Sequence, residues 1–442
     1  MGLRLPHPAR PMMRARAVAA LAAAVLAVAP SSARAIPPAA GGAFASGNIE
    51  LIATIPDAGS VGARIIGDTM YVTTAQGLRI YDVTGAIPVI RGVLELPHSQ
   101  NEDVDTNGEI LLIAADHGLG VPNMLYVVNV RNPMLPVLTG VLPFPPDAHT
   151  ITCINGCTYG WIGGGSRVHV VDLRSPSTPR IVGSFDPPGS THDVNVDAAG
   201  IAWVVSGFGN GGVFGYHTTD PVNPVLFASV GDAGPEPFDN DFILHNSMRP
   251  FADQTTAARY ADTAVDPGEL LLVTEEDWLN VSNDLCSNDG EFQTGWVRTV
   301  DGKMTIERLD GFHLGQGTVS SVLQDPSQKP GLTTATCSAH YFDHRDGVAA
   351  VAWYEQGVRF LDVSDPRDIR QIGYFMPAAG EAFHALFHRD YVYVFDTARG
   401  IDVLQFRGEA KDPVALAPAL KPHDAAVSKP SERWGYACRI AA

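Results

Sequence analysis

Positive charge is what this chain has least of. Its 442 residues include 30 Lys and Arg against 48 Asp and Glu, a net charge of −18. Five of the arginines (Arg4, Arg10, Arg14, Arg16 and Arg34) fall in the first 35 residues, which contain no acid. Without that leader 25 basic residues face 48 acidic ones, a net charge of −23. Such a surface repels phosphate backbones, so nucleic acid is excluded as a partner. Long apolar runs are also missing. Residues 18–28 form one, too short to span a bilayer as a helix, and no later stretch is longer, so no membrane span is expected. The basic start, the apolar run and Ala33-Arg34-Ala35 read as a signal peptide over residues 1–35, cleaved after Ala35, which makes the protein secreted. No cysteine follows the apolar run, which argues against lipid attachment there.

Other familiar chemistries lack their context. No strand–turn–helix carries a serine nucleophile, and the glycine runs at 163–165 and 207–212 join strands without opening a helix, so phosphate and dinucleotide sites are not expected. Cysteine is sparse, five in all, and in an exported chain points to disulfides. Cys153 and Cys157 are expected to bond across a three-residue hairpin loop; the alternative is a metal-binding Cys pair. Cys286 and Cys337 flank an irregular insertion and form the second expected pair, leaving Cys438 over.

What the chain does have is repetition. Its 44 glycines and 33 prolines fall at regular breaks between short β-branched runs. A strand-then-proline unit starts at Leu78, Leu125, Val168, Val213, Trp296, Val358 and Ile401. Asp82, Asn129, Asp172 and His217 hold one slot at spacings of 47, 43 and 45 residues, the period of a four-stranded propeller blade. The expected fold is therefore all-β: a seven-bladed β-propeller over residues 36–407, followed by an Ala/Pro-rich tail over 408–442. The seventh unit stops at Phe406 without an outer strand, and residues 49–56 supply one, so the N-terminal strand should close the ring. The fifth unit is swollen by the polar stretch 280–295, in which SNDLCSNDGE (282–291) is read as a solvated loop in preference to a calcium site, whose ligand spacing it does not match.

The elements GLRIYDVT (77–84), VRFLDVSDPRDI (358–369) and HDVNV (192–196) resemble the LVIVD-repeat family of bacterial exported β-propellers, over nearly all of residues 49–407 and more weakly in the fifth unit. The resemblance implies the fold and not one activity, so function rests on the chain's own residues.

Histidine placement carries the functional expectation. His149, His192, His245, His340 and His384 start the innermost strand of five units. Glu102 fills that slot in the second unit with His98 just upstream, and Val61-Gly62-Ala63 fills it in the first. Innermost strands line a propeller's axis, so equivalent residues form a ring, and a ring of neutral imidazoles chelates a transition metal. Copper or iron is expected ahead of zinc. Second strands return to the same end and finish at Asp116-His117, Glu275-Glu276 and Glu355; Glu275 and Glu355 are the candidate proton-transfer groups. The reading is a metal-dependent oxidoreductase acting on a small molecule. Its alternative is a non-catalytic scaffold holding an extracellular protein or glycan, with the histidines capping strand entries or facing neighbouring blades. His344 and His388 are expected on the surface. Trp161, Trp203, Trp278 and Trp353 are expected to pack between blades.

Overall fold

The computed structural model describes residues 43–408 except 58, 97–99, 117–121, 145–148, 207–211, 231–237, 239–242, 253–264, 278–289, 315–337 and 378–379. Of Glu102 and Asp116 it describes the backbone alone. Residues 1–35, where a signal peptide is expected, residues 409–442 of the expected tail, His98, His117, Trp278, Cys286, Cys337 and Cys438 lie outside the described residues. No helix among the described residues is long and apolar enough to cross a membrane.

The β-branched and aromatic runs form seven antiparallel four-stranded blades in a ring, a seven-bladed β-propeller. The innermost strands are Ser60–Ile66, Gln100–Thr106, Thr150–Ile154, Val194–Val196, Ile243–Met248, Phe342–Arg345 and Ala382–His388. Second strands read as nearly unbroken apolar runs because both of their faces are buried. In Ile110–Asp116, Leu111 and Ile113 pack toward the first blade while Leu112 and Ala114 pack toward the third. The core is accordingly seven apolar layers, one in each seam between neighbouring blades. Trp161, Trp203 and Trp353 are fully buried in three of these seams.

Ring closure follows the sequence expectation. Ile49–Ile55 pairs antiparallel with Gly400–Phe406 as the outer strand of blade 7. Two features were not legible. Ala43–Ala45 adds a fifth strand to blade 6, with Phe44 opposite Met376. The outer strands of blades 4 and 5 also pair in parallel, Ser229 with Thr305 and Val230 with Ile306, because the fifth unit's last two strands are unusually long.

The turns between third and fourth strands are Asx turns at the recurring Asp or Asn. Asp82, Asn129, Asp172 and Asp362 each accept the backbone N–H two residues on. The hairpin expected to align Cys153 with Cys157 is longer than three residues. Ile154 pairs with Tyr159, so Cys157 sits in the loop itself at φ +60°, and the disulfide joins it back to Cys153 on the strand. His344 and His388 are not on the surface as expected. Phe251 packs edge-on against His344, and His388 lies 3.2 Å from Asp68 of the first blade's turn, because hairpin ends of adjacent blades touch there.

Candidate metal centre

Each innermost strand enters its blade through a bulge. The His192 N–H donates to the Val205 carbonyl, while the Val205 N–H donates to the carbonyl of Asp193, so two residues oppose one. His340 and Tyr341 oppose Ala352 in the same way. The pairing skips a residue at Glu102 and at His245 as well. Bulges re-aim side chains, and in blades 3 to 6 they bring the histidine rings into contact with one another.

Four of the five histidines meet in an arc across blades 3 to 6. Ring centroids are 5.2 Å apart for His149 and His192, 4.3 Å for His192 and His245, and 3.8 Å for His245 and His340. His192, His245 and His340 are fully buried and His149 nearly so. Two of them are anchored by the next blade's main chain. His192 Nδ1 donates to the His245 carbonyl at 3.1 Å, and His340 Nδ1 donates to the Phe383 carbonyl at 2.7 Å. A carbonyl only accepts, so each Nδ1 carries the proton and Nε2 is the basic nitrogen of the neutral ring. Backbone carbonyls fix metal-ligating imidazoles in this manner.

Glu276, the last residue of Leu270–Glu276, brings a carboxylate to the arc. Its Oε1 lies 3.9 Å from His340 Nε2 and its Oε2 lies 4.0 Å from His245 Nε2, beyond hydrogen-bond reach. Ligand atoms of His192, His245 and Glu276 all fall within 4.8 Å of one another. Donors bound at about 2.1 Å to one tetrahedral ion stand about 3.4 Å apart, so these side chains would have to close on an ion. The Tyr354 hydroxyl donates to Glu276 Oε1, and Tyr341 packs its ring against both His245 and His340.

The fifth histidine lands elsewhere. Blades 6 and 7 share His-Arg-Asp, at 344–346 and 388–390, which suggests one register. In blade 6 the tight turn uses Asp346 (φ +51°) and Gly347 (φ +79°), with Arg345 paired to Val348. Blade 7 has Tyr391 where that glycine stands. A bulky residue does not tolerate positive φ there, so the turn moves back to Arg389 and Asp390, with His388 paired to Tyr391. Every inner position shifts by one. His384 takes the place that Tyr341 has in blade 6, and Phe383 takes the histidine slot, 4.7 Å from the His340 ring. Burial first, then Arg64 and His340, hold the His384 pKa well below the usual value, so it stays neutral. By strand register the slot thus runs Val61, Glu102, His149, His192, His245, His340, Phe383 from blade 1 to blade 7.

Of the proposed proton-transfer groups, Glu275 alternates to the opposite face of its strand from Glu276. Glu355 is buried in the turn that follows Ala352, next to Tyr354. Sequence reading named Glu276 as a strand-end carboxylate but missed Tyr354, Tyr341 and Phe383. Only the hairpin offset at Tyr391 could have pointed to the last of these. Below the arc, Arg64 of blade 1 pairs with Asp103 and Asp105 at 3.5 Å each. Those carboxylates also accept the N–H groups of Ile151 and Cys153, locking blade 2 to blade 3.

No family model and no curated protein matches the chain. Among solved structures, it is similar to the Cps50 (Swd1) β-propeller domain of Myceliophteria thermophila, at 12% identity and a TM-score of 0.53, covering 81% of this chain and 99% of that one. It is also similar to the hydrazine synthase of Kuenenia stuttgartiensis, at 10% identity and a TM-score of 0.52, covering 79% and 96%. A protein of unknown function from Desulfotomaculum acetoxidans aligns at 14% identity and a TM-score of 0.49, covering 76% and 95%. At these identities the likeness concerns the fold alone.

Proposed function

We propose that this chain is a secreted propeller that holds one transition-metal ion on His192, His245 and Glu276, with His340 and His149 alongside, and that it is a metal-dependent oxidoreductase. The observation carrying this reading is that a buried carboxylate stands 3.9–4.0 Å from Nε2 of His245 and of His340, beside the carbonyl-anchored imidazoles of His192 and His340. Two histidines and one carboxylate with positions left over suit iron(II) in non-haem oxidoreductases; the same donors also take zinc, and imidazole takes copper. Iron is the ion we assign. An ion there would supply a Lewis-acid or redox centre. The chain's own residues anchor two of the imidazoles, orient the carboxylate through Tyr354, and keep bulk water off the donor atoms.

Membership of the LVIVD-repeat propellers and export are part of the same proposal. They are supported by the repeat elements, the basic-apolar leader and the Cys153–Cys157 disulfide. The second reading, a docking scaffold, is favoured by the rim of blade 2, where Met134, Leu135, Val137 and Val141 are exposed. Metal analysis of protein purified from its exporting host separates the two. About one iron per chain, lost in His245→Ala plus Glu276→Gln with the fold retained by circular dichroism, supports the centre. Protein that arrives metal-free and stays so on titration with iron, copper and zinc leaves only the scaffold.

A further inference from the structure

We propose that the side of the centre facing blades 7 and 1 takes a small, uncharged ligand of diatomic size, dioxygen being one of the class. This inference rests on the metal reading above. The axial slot is two-sided in its chemistry: imidazoles occupy it in blades 3 to 6, and blades 7 and 1 present Phe383 and Val61. These two side chains and Tyr354 form a buried apolar cluster of their own. Phe383 stands 4.7 Å from the His340 ring and 5.0 Å from the Tyr354 ring, so the apolar wall begins where the imidazole arc ends.

Tyr354 completes that wall by the way it is held. Its backbone sits at φ +42°, a conformation rare for an aromatic residue. It is fixed there by reciprocal main-chain bonds to Ala382 of blade 7, at 3.1 and 2.9 Å. The hydroxyl turns to Glu276 while the ring packs on His340 and Phe383. The polar atom thus serves the carboxylate, and the ring face serves the wall. A charged or strongly hydrated ligand entering against Val61 and Phe383 would shed water with no donor or acceptor from either side chain to replace it. A neutral diatomic molecule has little hydration to lose.

The test uses the full chain loaded with iron(II) under anaerobic conditions. Iron content is measured first, and then nitric oxide and azide are titrated separately, followed by electron paramagnetic resonance and absorbance. Nitric oxide should saturate the centre, with azide needing about a hundredfold more ligand because it enters as an anion. Val61→Phe should weaken nitric oxide about tenfold or more with iron content unchanged. Should that variant fail to fold, Val61→Ile moves the affinity in the same direction by a smaller factor. Val61→Asn, which adds a donor, should tighten azide about tenfold. Azide bound as tightly as nitric oxide by the parent protein, or no response to the Val61 variants, overturns the proposal and leaves the metal reading standing. A chain that takes up no iron overturns both.

Discussion

The backbone strain at Tyr354 and the hydrogen bond from its hydroxyl make it the positioning residue of the proposed centre. One oxygen of Glu276 is engaged by the phenol, which holds the carboxylate for contact through the other. Tyr354→Phe keeps the ring and the wall but frees the carboxylate to rotate. Metal affinity should fall about 10–100-fold, the usual cost of losing an outer partner, as read by competition with a chelator. The metal-free protein should lose about 1–3 kcal/mol of stability, because a buried carboxylate loses a hydrogen-bond donor. A second residue-scale prediction concerns Asp396, which is fully buried. Burial first, and then repulsion from Asp402, push its carboxyl up to about 7. The folded protein therefore keeps a proton that the unfolded chain releases near pH 4. Stability from this group is complete below that value and is lost as pH rises toward about 7. Asp396→Asn cannot titrate, so the fall in melting temperature between about pH 4 and 7 should be shallower in the variant than in the parent.

At the scale of strands and turns, a recurring glycine explains how blades nest. An added Cβ at Gly140, on the outer strand of blade 2, would lie 2.2 Å from the Pro176 carbonyl oxygen and 2.9 Å from Pro179 in the turn of blade 3. Gly92 meets Pro133 and Pro136 of the next turn in the same way. The proline-rich turn of each of these blades therefore packs on the bare backbone of the blade before it. Gly140→Ala should destabilise the protein by about 1–3 kcal/mol, whereas Gly85→Ala, with nothing within 4 Å, should stay within about 0.5 kcal/mol. Denaturant midpoints check both. This scale also marks how far the sequence could be read. Blade number, strand order and ring closure were legible because Asx turns and β-branched runs recur at a fixed period. The site was legible only up to register. A bulge displaces side chains without altering composition, and the exchange of Gly347 for Tyr391 between two otherwise matching hairpins moves His384 off the axis and puts Phe383 on it. Glu275 and Glu276 are adjacent in sequence and opposite in space, so only strand pairing separates them. Tyr354 carries no motif; its role comes from a bridge to another blade.

For the whole molecule, the N-terminal segment does two separable things. Ala43–Ala45 decorates the edge of blade 6, adding Phe44 over Tyr374 and Met376. Ile49–Ile55 closes the ring, with Ile49 filling the seam between blades 6 and 7 and Ala53 and Ile55 the seam between blades 7 and 1. A chain beginning at residue 47 should lose the first contribution only and unfold cooperatively at a somewhat lower temperature. One beginning at residue 57 leaves Gly400–Phe406 as an open edge and loses the seam burial of Ile49 and Ile55, worth about 1.5–3 kcal/mol apiece. A ring missing that strand should not give a single transition, since a total stability of about 5–15 kcal/mol is spread over seven seams that depend on closure. Supplying residues 47–57 as a peptide should restore the transition by adding the strand in trans. A shortened chain that melts as the full one does would mean the ring is held by its seams alone, with Ile49–Ile55 an ornament on its edge.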